Sequence, residues 1–250
     1  MEAVLAAAAD LLRTARRVVA LSGAGVSAES GIPTFRDAQT GLWSRYRAEE
    51  LATPEAFARD PALVWSWYAW RRALVARAEP NPAHHAMAAM QRQLPHFTLV
   101  TQNVDGLHRR AGSTGVLELH GDITRVRCSA EGRIIRHFEE SAEGEGPPPC
   151  PACGAPLRPD VVWFGEPLPM ETLHAASAAA GRCQVLLSVG TSALVYPAAG
   201  LIPLAERAGA TVLVVNPDPA AAPPGALHLA GAAGALLPRL VAAAWPGAAD

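Results

Sequence analysis

Long apolar runs are missing from this 250-residue sequence. No stretch approaches the ~18 residues that suggest a membrane span, so no membrane association is expected. The N-terminus lacks a basic start followed by an apolar stretch and carries Glu2 and Asp10 instead, unlike a signal peptide. Val4, Leu5, Ala8, Leu11, Leu12 and Ala15 recur at helical spacing, as in a mature amphipathic helix. The expected location is the cytoplasm. An excess of one charge is also missing: the formal net charge is -2 and the pI about 6.4. No general attraction to nucleic acid follows, and a basic partner would have to be recognised locally. Cysteine is scarce, with four residues: Cys128, Cys150, Cys153 and Cys183. Two of them make a C-x-x-C pair, which in a reducing compartment favours metal over disulfide. Cys183 precedes an apolar run and reads as a buried, inert thiol.

Hydrophobic residues make up 50% of the chain, enough for a sizeable core. Strands are predicted over 17–22, 97–101, 116–120, 185–189 and 211–215. Helices are predicted over 62–78, 82–94, 104–111, 201–208 and 236–244. Nearly all-apolar strands alternating with helices argue for a parallel sheet covered on both faces. The expected fold is α/β, a Rossmann-like doubly wound sheet with a smaller inserted domain. The sheet domain would take residues 1–35, 96–124 and 161–250. The small domain would take 36–95 and 125–160. Ligands would bind between the two, at the carboxyl ends of the strands.

The turn after the first strand, Gly23-Ala24-Gly25-Val26-Ser27-Ala28, fits G-x-G-x-x-A. Two glycines let the backbone approach a pyrophosphate, and free N–H groups can receive its charge. A tight turn without a ligand uses the same glycines. A dehydrogenase would place an acidic residue at the end of a second strand about 20 residues on. Glu49 and Glu50 lie near that distance but follow a loop, so the hydride-transfer layout is absent.

Longer strings narrow the reading. They are GAGVSAESGIPTFR from Gly23 to Arg36, TQNVDGLHRRAG from Thr101 to Gly112, ELHGD from Glu118 to Asp122, and GTS at Gly190 to Ser192. Val195-Tyr196-Pro197 and Val215-Asn216-Pro217 follow. In this order and spacing the chain resembles the sirtuin family from Arg17 to about Leu240. The resemblance implies an enzyme that consumes NAD to remove acyl groups from protein lysines. Gly23, Ala24 and Gly25 would cradle the pyrophosphate. Phe35 and Arg36 would lie on the cofactor loop, and Gln102, Asn103 and Asp105 on the nicotinamide side. Gly190, Thr191, Ser192 and Asn216 would hold the adenosine half, with a backbone contact at Ala233. His120 would be the general base and, with Asn103, would make up the catalytic pair. The acyl oxygen would attack the ribose carbon bearing nicotinamide, and the products would be free lysine, nicotinamide and O-acyl-ADP-ribose.

Other roles remain open for single residues. Asn103 and Asp105 also suit a helix cap, and Asn216 a turn. His84 and His108 read as structural histidines. Val162, Trp163, Phe164 and Glu166 fall where the family presents a backbone edge to the substrate peptide, although an ordinary buried strand fits too. Tyr68 and Arg71, i and i+3 on a helix, share a face and suit a carboxylate. They resemble the Y-x-x-R pair of class III sirtuins, which remove succinyl, malonyl and glutaryl groups, and Ala48 falls where that class keeps a small pocket residue. Core packing of Tyr68 is the rival reading, and Arg72 is expected on the outer face. Rival functions are mono-ADP-ribosyl transfer and a non-catalytic module that binds NAD or acyl-lysine.

Metal is where the pattern departs from the family. Cys128, Cys150 and Cys153 match three of its four structural zinc ligands, but Glu131 stands in place of the fourth. Its carboxylate, or His137, would complete a zinc site; the alternative is a lobe that has lost zinc and is held by packing.

Overall fold

The computed structural model describes residues 1–33, 46–135, 137–141 and 145–247. In chain order the first elements are helix α1 (Glu2–Thr14), strand β1 (Arg17–Ser22), and helices α2 (Ala48–Leu51), α3 (Pro54–Arg59), α4 (Pro61–Arg77) and α5 (Pro82–Gln93). Then come β2 (His96–Thr101), α6 (Leu107–Arg110), β3 (Leu117–Glu118), β4 (Gly121–Cys128), β5 (Ile134–Ile135) and β6 (Leu157–Val161). The last are α7 (Met170–Ala180), β7 (Val185–Val189), α8 (Leu201–Arg207), β8 (Thr211–Val215), β9 (Leu227–Leu229) and α9 (Ala233–Ala244).

Six strands form a parallel sheet in the order β3-β2-β1-β7-β8-β9. Successive side chains leave a strand on opposite faces, and here both faces are apolar. Val18 and Ala20 of β1 pack with Leu5, Leu12, Met87, Met90, Leu237 and Leu240 from α1, α5 and α9. Val19 and Leu21 pack the other way, with Ala176, Ala180, Leu201, Ile202 and Ala205 from α7 and α8. The sheet is therefore doubly wound, as the sequence predicts. Helix α5 joins the first of these layers.

A second sheet is antiparallel, in the order β5-β4-β6. Helices α2 to α4 cover it through Ala48, Phe57, Val64, Trp67 and Tyr68, which surround Ile123, Val161 and Trp163. Proline opens α3 and α4 at the first turn, and the Thr53 and Asp60 side chains accept from Ala56 N and Leu63 N. The strand predicted over 116–120 ends early. Gly121 has φ +81, and a Cβ there would lie 2.1 Å from the Asp160 carbonyl oxygen. The backbone turns at this glycine from the parallel sheet into β4.

Candidate active site

The motifs at Gly23, Gln102, His120, Gly190 and Asn216 each follow the carboxyl end of a parallel strand. Strand order reverses beside β1, so the crevice opens between β1 and β7. There the Gly23–Gly25 turn meets Gly190, with Gly25 N–H donating to the Gly190 carbonyl at 2.8 Å. A Cβ on Gly25 would sit 2.8 Å from that oxygen. Gly190 has φ +57, and a Cβ on it would sit 2.5 Å from Val26 N. A side chain is excluded at both glycines, so bare backbone faces the crevice there, with the Gly23 and Gly190 N–H groups donating to the Val189 and Val215 carbonyls. The turn continues as two single-turn 3-10 helices, Ala24–Val26 and Ala28–Ser30, in place of a full α-helix.

Asn216, after β8, donates through Nδ2 to the Thr191 carbonyl at 3.0 Å and accepts from Asp218 N–H at 2.9 Å. The turn role and the bracing of the Gly190-Thr191-Ser192 segment belong to the same side chain. Gln102 Nε2 donates to Thr191 Oγ1 at 3.0 Å, linking the two halves of the crevice. Ala233 is buried as the first residue of α9, not in the loop before it. The next N–H, of Gly234, donates to the Glu29 carboxylate at 2.7 Å, which ties the start of α9 to the glycine motif. Phe35 and Arg36 lie outside the described residues.

Asn103 and Asp105 converge on Ser27. Its hydroxyl donates to Asp105 Oδ2 at 2.7 Å and accepts from Asn103 Nδ2 at 3.1 Å. Asp105 also accepts from Leu107 N–H at 2.9 Å, so it does cap α6 while facing the site. Burial raises the pKa of Asp105 above the usual carboxylate value, with the Leu107 and Ser27 bonds opposing. His84 Nδ1 accepts from Asn81 N–H at 3.2 Å, which leaves its proton on Nε2, 3.4 Å from Ser27 Oγ. Ser22 Oγ donates to Thr101 Oγ1 and faces His108 Nε2, each at 2.8 Å. Sequence reasoning misses Ser22, Ser27, His84 and His108 as site residues; the signals that point to any of them are the places of Ser27 in the Gly23–Arg36 string and of His108 in the Thr101–Gly112 string.

His120 follows β3 and is half-buried. Its Nδ1 meets the Gln102 carbonyl oxygen at 2.9 Å. A carbonyl can only accept, so Nδ1 carries the proton and Nε2 keeps a lone pair. Burial lowers the His120 pKa, partly offset by the Gln102 bond, so the ring is neutral at pH 7. Glu118 and Asp122 flank it, and Arg109 of α6 pairs with both.

The segment after β6 packs beside His120: Val162 N–H donates to the His120 carbonyl at 2.9 Å. Phe164 N–H donates to Ala52 O, and Trp163 N–H to Glu166 Oε2, each at 2.9 Å. These three donors are committed within the chain. A substrate strand added here would meet other groups of this edge. Phe164 itself is exposed. The Glu166 carboxylate pairs with buried Arg158, and this pairing lowers its pKa although burial opposes it.

Tyr68 and Arg71 share a face of α4 beside buried Ala48. Tyr68 is buried in the core and also beside Arg71, so packing and pairing are not alternatives here. Burial pushes the phenol up to about 12, against the opposing field of Arg71. Burial also lowers the Arg71 pKa, while the fields of Tyr68 and Asp105 support its charge. Arg71 therefore lies within electrostatic reach of the nicotinamide side. Arg72 is not on an outer face. It is buried, paired with the Glu140 carboxylate, and its guanidinium carbon lies 4.5 Å above the Trp65 ring. Helix α4 packs on two sides, which leaves no solvated face at that position.

The sulfurs of Cys128, Cys150 and Cys153 lie within 4.8 Å of one another. Such a set of soft donors fits zinc. Backbone N–H groups of Ala152 and Cys153 lower the Cys150 pKa, which favours the thiolate that a metal needs. Glu131 does not complete the set as expected: its carboxylate pairs with Arg133 at 2.8 Å, and only its backbone N–H meets Cys128 Sγ. Exposed His137 is also outside the cluster. Cys183 is buried, donates to the Ala180 carbonyl, and has a raised pKa through burial.

The Sir2 family model matches residues 23–197. An NAD-dependent protein deacylase of Methylococcus capsulatus is 54% identical over 239 residues, covering 93% of this chain and 94% of the relative. NAD-dependent protein deacylase 1 of Pseudomonas aeruginosa is 54% identical over 248 residues, covering 96% and 99%. A crystal structure of a Sir2 homologue in complex with NAD superimposes with a TM-score of 0.87 at 46% identity, covering 96% of this chain and 92% of that one. Two-thirds of the chain carries the family match and nearly all of it aligns with such relatives, so the chain belongs to the Sir2 family.

Proposed function

We propose that this chain is an NAD-dependent protein deacylase whose preferred groups are the acidic ones, succinyl and malonyl, with acetyl removed more weakly. The deacylase reading is supported by the relatives and by the donor-acceptor pattern around His120 and Gln102. The acyl preference is carried by one observation, the placing of Tyr68 and Arg71 one helical turn apart on α4, with the Tyr68 phenol buried and Arg71 within electrostatic reach of Asp105. A carboxylate is the partner that a guanidinium binds in two places.

NAD supplies the ribose carbon to be attacked and nicotinamide as the leaving group. The glycine turns at Gly23–Gly25 and Gly190 hold its phosphates, and Asn216 braces the adenosine side. Asp105 and Asn103, locked by Ser27, orient the nicotinamide end. His120 Nε2 takes the proton of a ribose hydroxyl, and the Gln102 carbonyl, accepting from Nδ1–H, stabilises the imidazolium that forms. The acylated lysine enters past Phe164, and its carboxylate ends at Tyr68 and Arg71. With one water taken up to free the lysine amine, the products are lysine, nicotinamide and O-acyl-ADP-ribose. Three thiolates at Cys128, Cys150 and Cys153 would hold a structural zinc.

The test is nicotinamide release from NAD with a panel of acetyl-, malonyl-, succinyl- and glutaryl-lysine peptides. Every cationic side chain of this protein is arginine and none is lysine, so its own side chains contribute no acyl-lysine background. Acetyl outrunning succinyl in kcat/KM rejects the acyl preference. Release with no acyl peptide required rejects deacylation in favour of ADP-ribosyl transfer or hydrolysis.

A further inference from the structure

Tyr68 does not stand alone against the acyl pocket. Trp163 Nε1–H meets its hydroxyl oxygen at 3.0 Å, both groups being buried. Indole N–H can only donate, so the phenol oxygen is the acceptor in this contact. The phenol's own proton must then point away from Trp163. Among the described residues no acceptor takes it.

Trp163 is in turn fixed from two sides. The Arg158 guanidinium carbon lies 3.4 Å from its ring centroid, and the Phe57 ring lies 5.3 Å away. Arg158 is clamped by both oxygens of Glu166, at 2.5 and 2.9 Å, and Glu166 Oε2 also accepts Trp163 N–H. The indole has little freedom to release Tyr68. We infer that Trp163 is a specificity-determining positioning residue: its indole N–H turns the Tyr68 hydroxyl into a committed donor toward an acyl carboxylate. This rests on the reading of Tyr68 and Arg71 as the carboxylate site. An unconstrained phenol could present a lone pair instead, which would repel the carboxylate. An acetyl group has no charge to meet there and gains nothing from the arrangement.

Trp163→Phe removes the N–H and keeps an aromatic ring under Arg158. The loss of a neutral hydrogen bond lowers kcat/KM for succinyl-lysine roughly two- to tenfold, mainly through KM. The ratio of succinyl to acetyl kcat/KM falls by the same factor. In the Tyr68→Phe background the same change adds nothing further, since the partner is gone. A benzothienylalanine at position 163, which replaces N–H by sulfur in a ring of nearly the same shape, gives the same result if phenylalanine packs too loosely to fold. An equal loss for both acyl groups in the folded benzothienylalanine protein overturns the inference, and so does a loss that adds fully to that of Tyr68→Phe. Arg71→Met separates the two layers. If it shifts preference toward acetyl while both Trp163 variants do not, the inference fails and the carboxylate site stands. If Arg71→Met leaves preference unchanged, the carboxylate site itself fails and the inference with it.

Discussion

His120 gives its Nδ1 proton to the Gln102 carbonyl, 2.9 Å away, and the two residues lie in different motifs at the ends of neighbouring strands. The register of β2 against β3 therefore sets the tautomer of the base. His120→Ala should keep NAD binding and lower turnover by roughly 10²–10⁴-fold, the usual contribution of a positioned base. Binding is read by calorimetry and turnover by nicotinamide release. Near-normal turnover would remove His120 from the proton transfer.

The same bond gives a pH expectation. A base works unprotonated, so kcat/KM falls as pH drops through the His120 pKa. Burial lowers that pKa below 6.5, and the Gln102 bond recovers only part of the shift. The acid limb should therefore have its midpoint below pH 6.5 and disappear in His120→Ala. A midpoint above 6.5 would mean that another group limits the rate.

Two buried histidines make stability depend on pH in the same range. Burial pushes His84 down to about 4 and His108 to about 3, from 6.5. Between those values and 6.5 the unfolded chain binds protons that the folded chain refuses, so stability rises with pH there. It is fully present above about 6.5 and is lost as pH falls toward 4 and then 3. Each histidine contributes a slope of roughly 1.4 kcal/mol per pH unit. Urea midpoints measured between pH 7 and 5, above the carboxylate range, should fall steadily. A flat profile would mean that these rings already accept protons in the folded protein.

Much of this architecture is legible in the sequence because the six-stranded sheet is apolar on both faces, as in Val18 to Leu21 and Val185 to Val189. Strand β9 is three residues long and α7 ends in an alanine-rich run, so neither carries a periodic signal strong enough to place it. The antiparallel sheet is broken by a register shift between Asp122 and Val126, which no alternation rule anticipates. Site residues in the glycine, Asn103 and His120 motifs are visible as strings. The partners that make them work, Ser27, His84 and Trp163, depend on contacts across 57 to 95 residues of chain. Arg72 was misplaced because a helix that packs on two sides has no outer face to read from spacing.

The cysteine cluster leads to a metal prediction. Three sulfurs converge while Glu131 pairs with Arg133, so protein purified without chelator should carry at most one zinc per chain, held more weakly than a four-cysteine site. Cys150→Ser should release it and lower the melting temperature. Metal analysis and thermal melting read both effects. An active, well-folded preparation without metal, unchanged by zinc or chelator, would leave packing of Trp65, Val126 and Leu157 as what holds this lobe.

The last prediction concerns Arg71. Its guanidinium carbon lies 5.0 Å above the Trp67 ring, which holds the side chain beside Tyr68. Arg71→Met keeps most of the aliphatic bulk and removes the charge. A hydrogen bond to a charged group contributes about 1.5–3 kcal/mol, so the succinyl-lysine kcat/KM should fall at least about tenfold. The acetyl rate should hold or rise, because acetyl offers the guanidinium no anion to offset its desolvation. The ratio of the two rates is the quantity to measure, since damage to the fold or the NAD site lowers both and leaves the ratio unchanged. A ratio that moves toward acetyl with the acetyl rate preserved assigns Arg71 to the acyl carboxylate. An equal fall in both would assign it instead to the support of Asp105, whose field it shares.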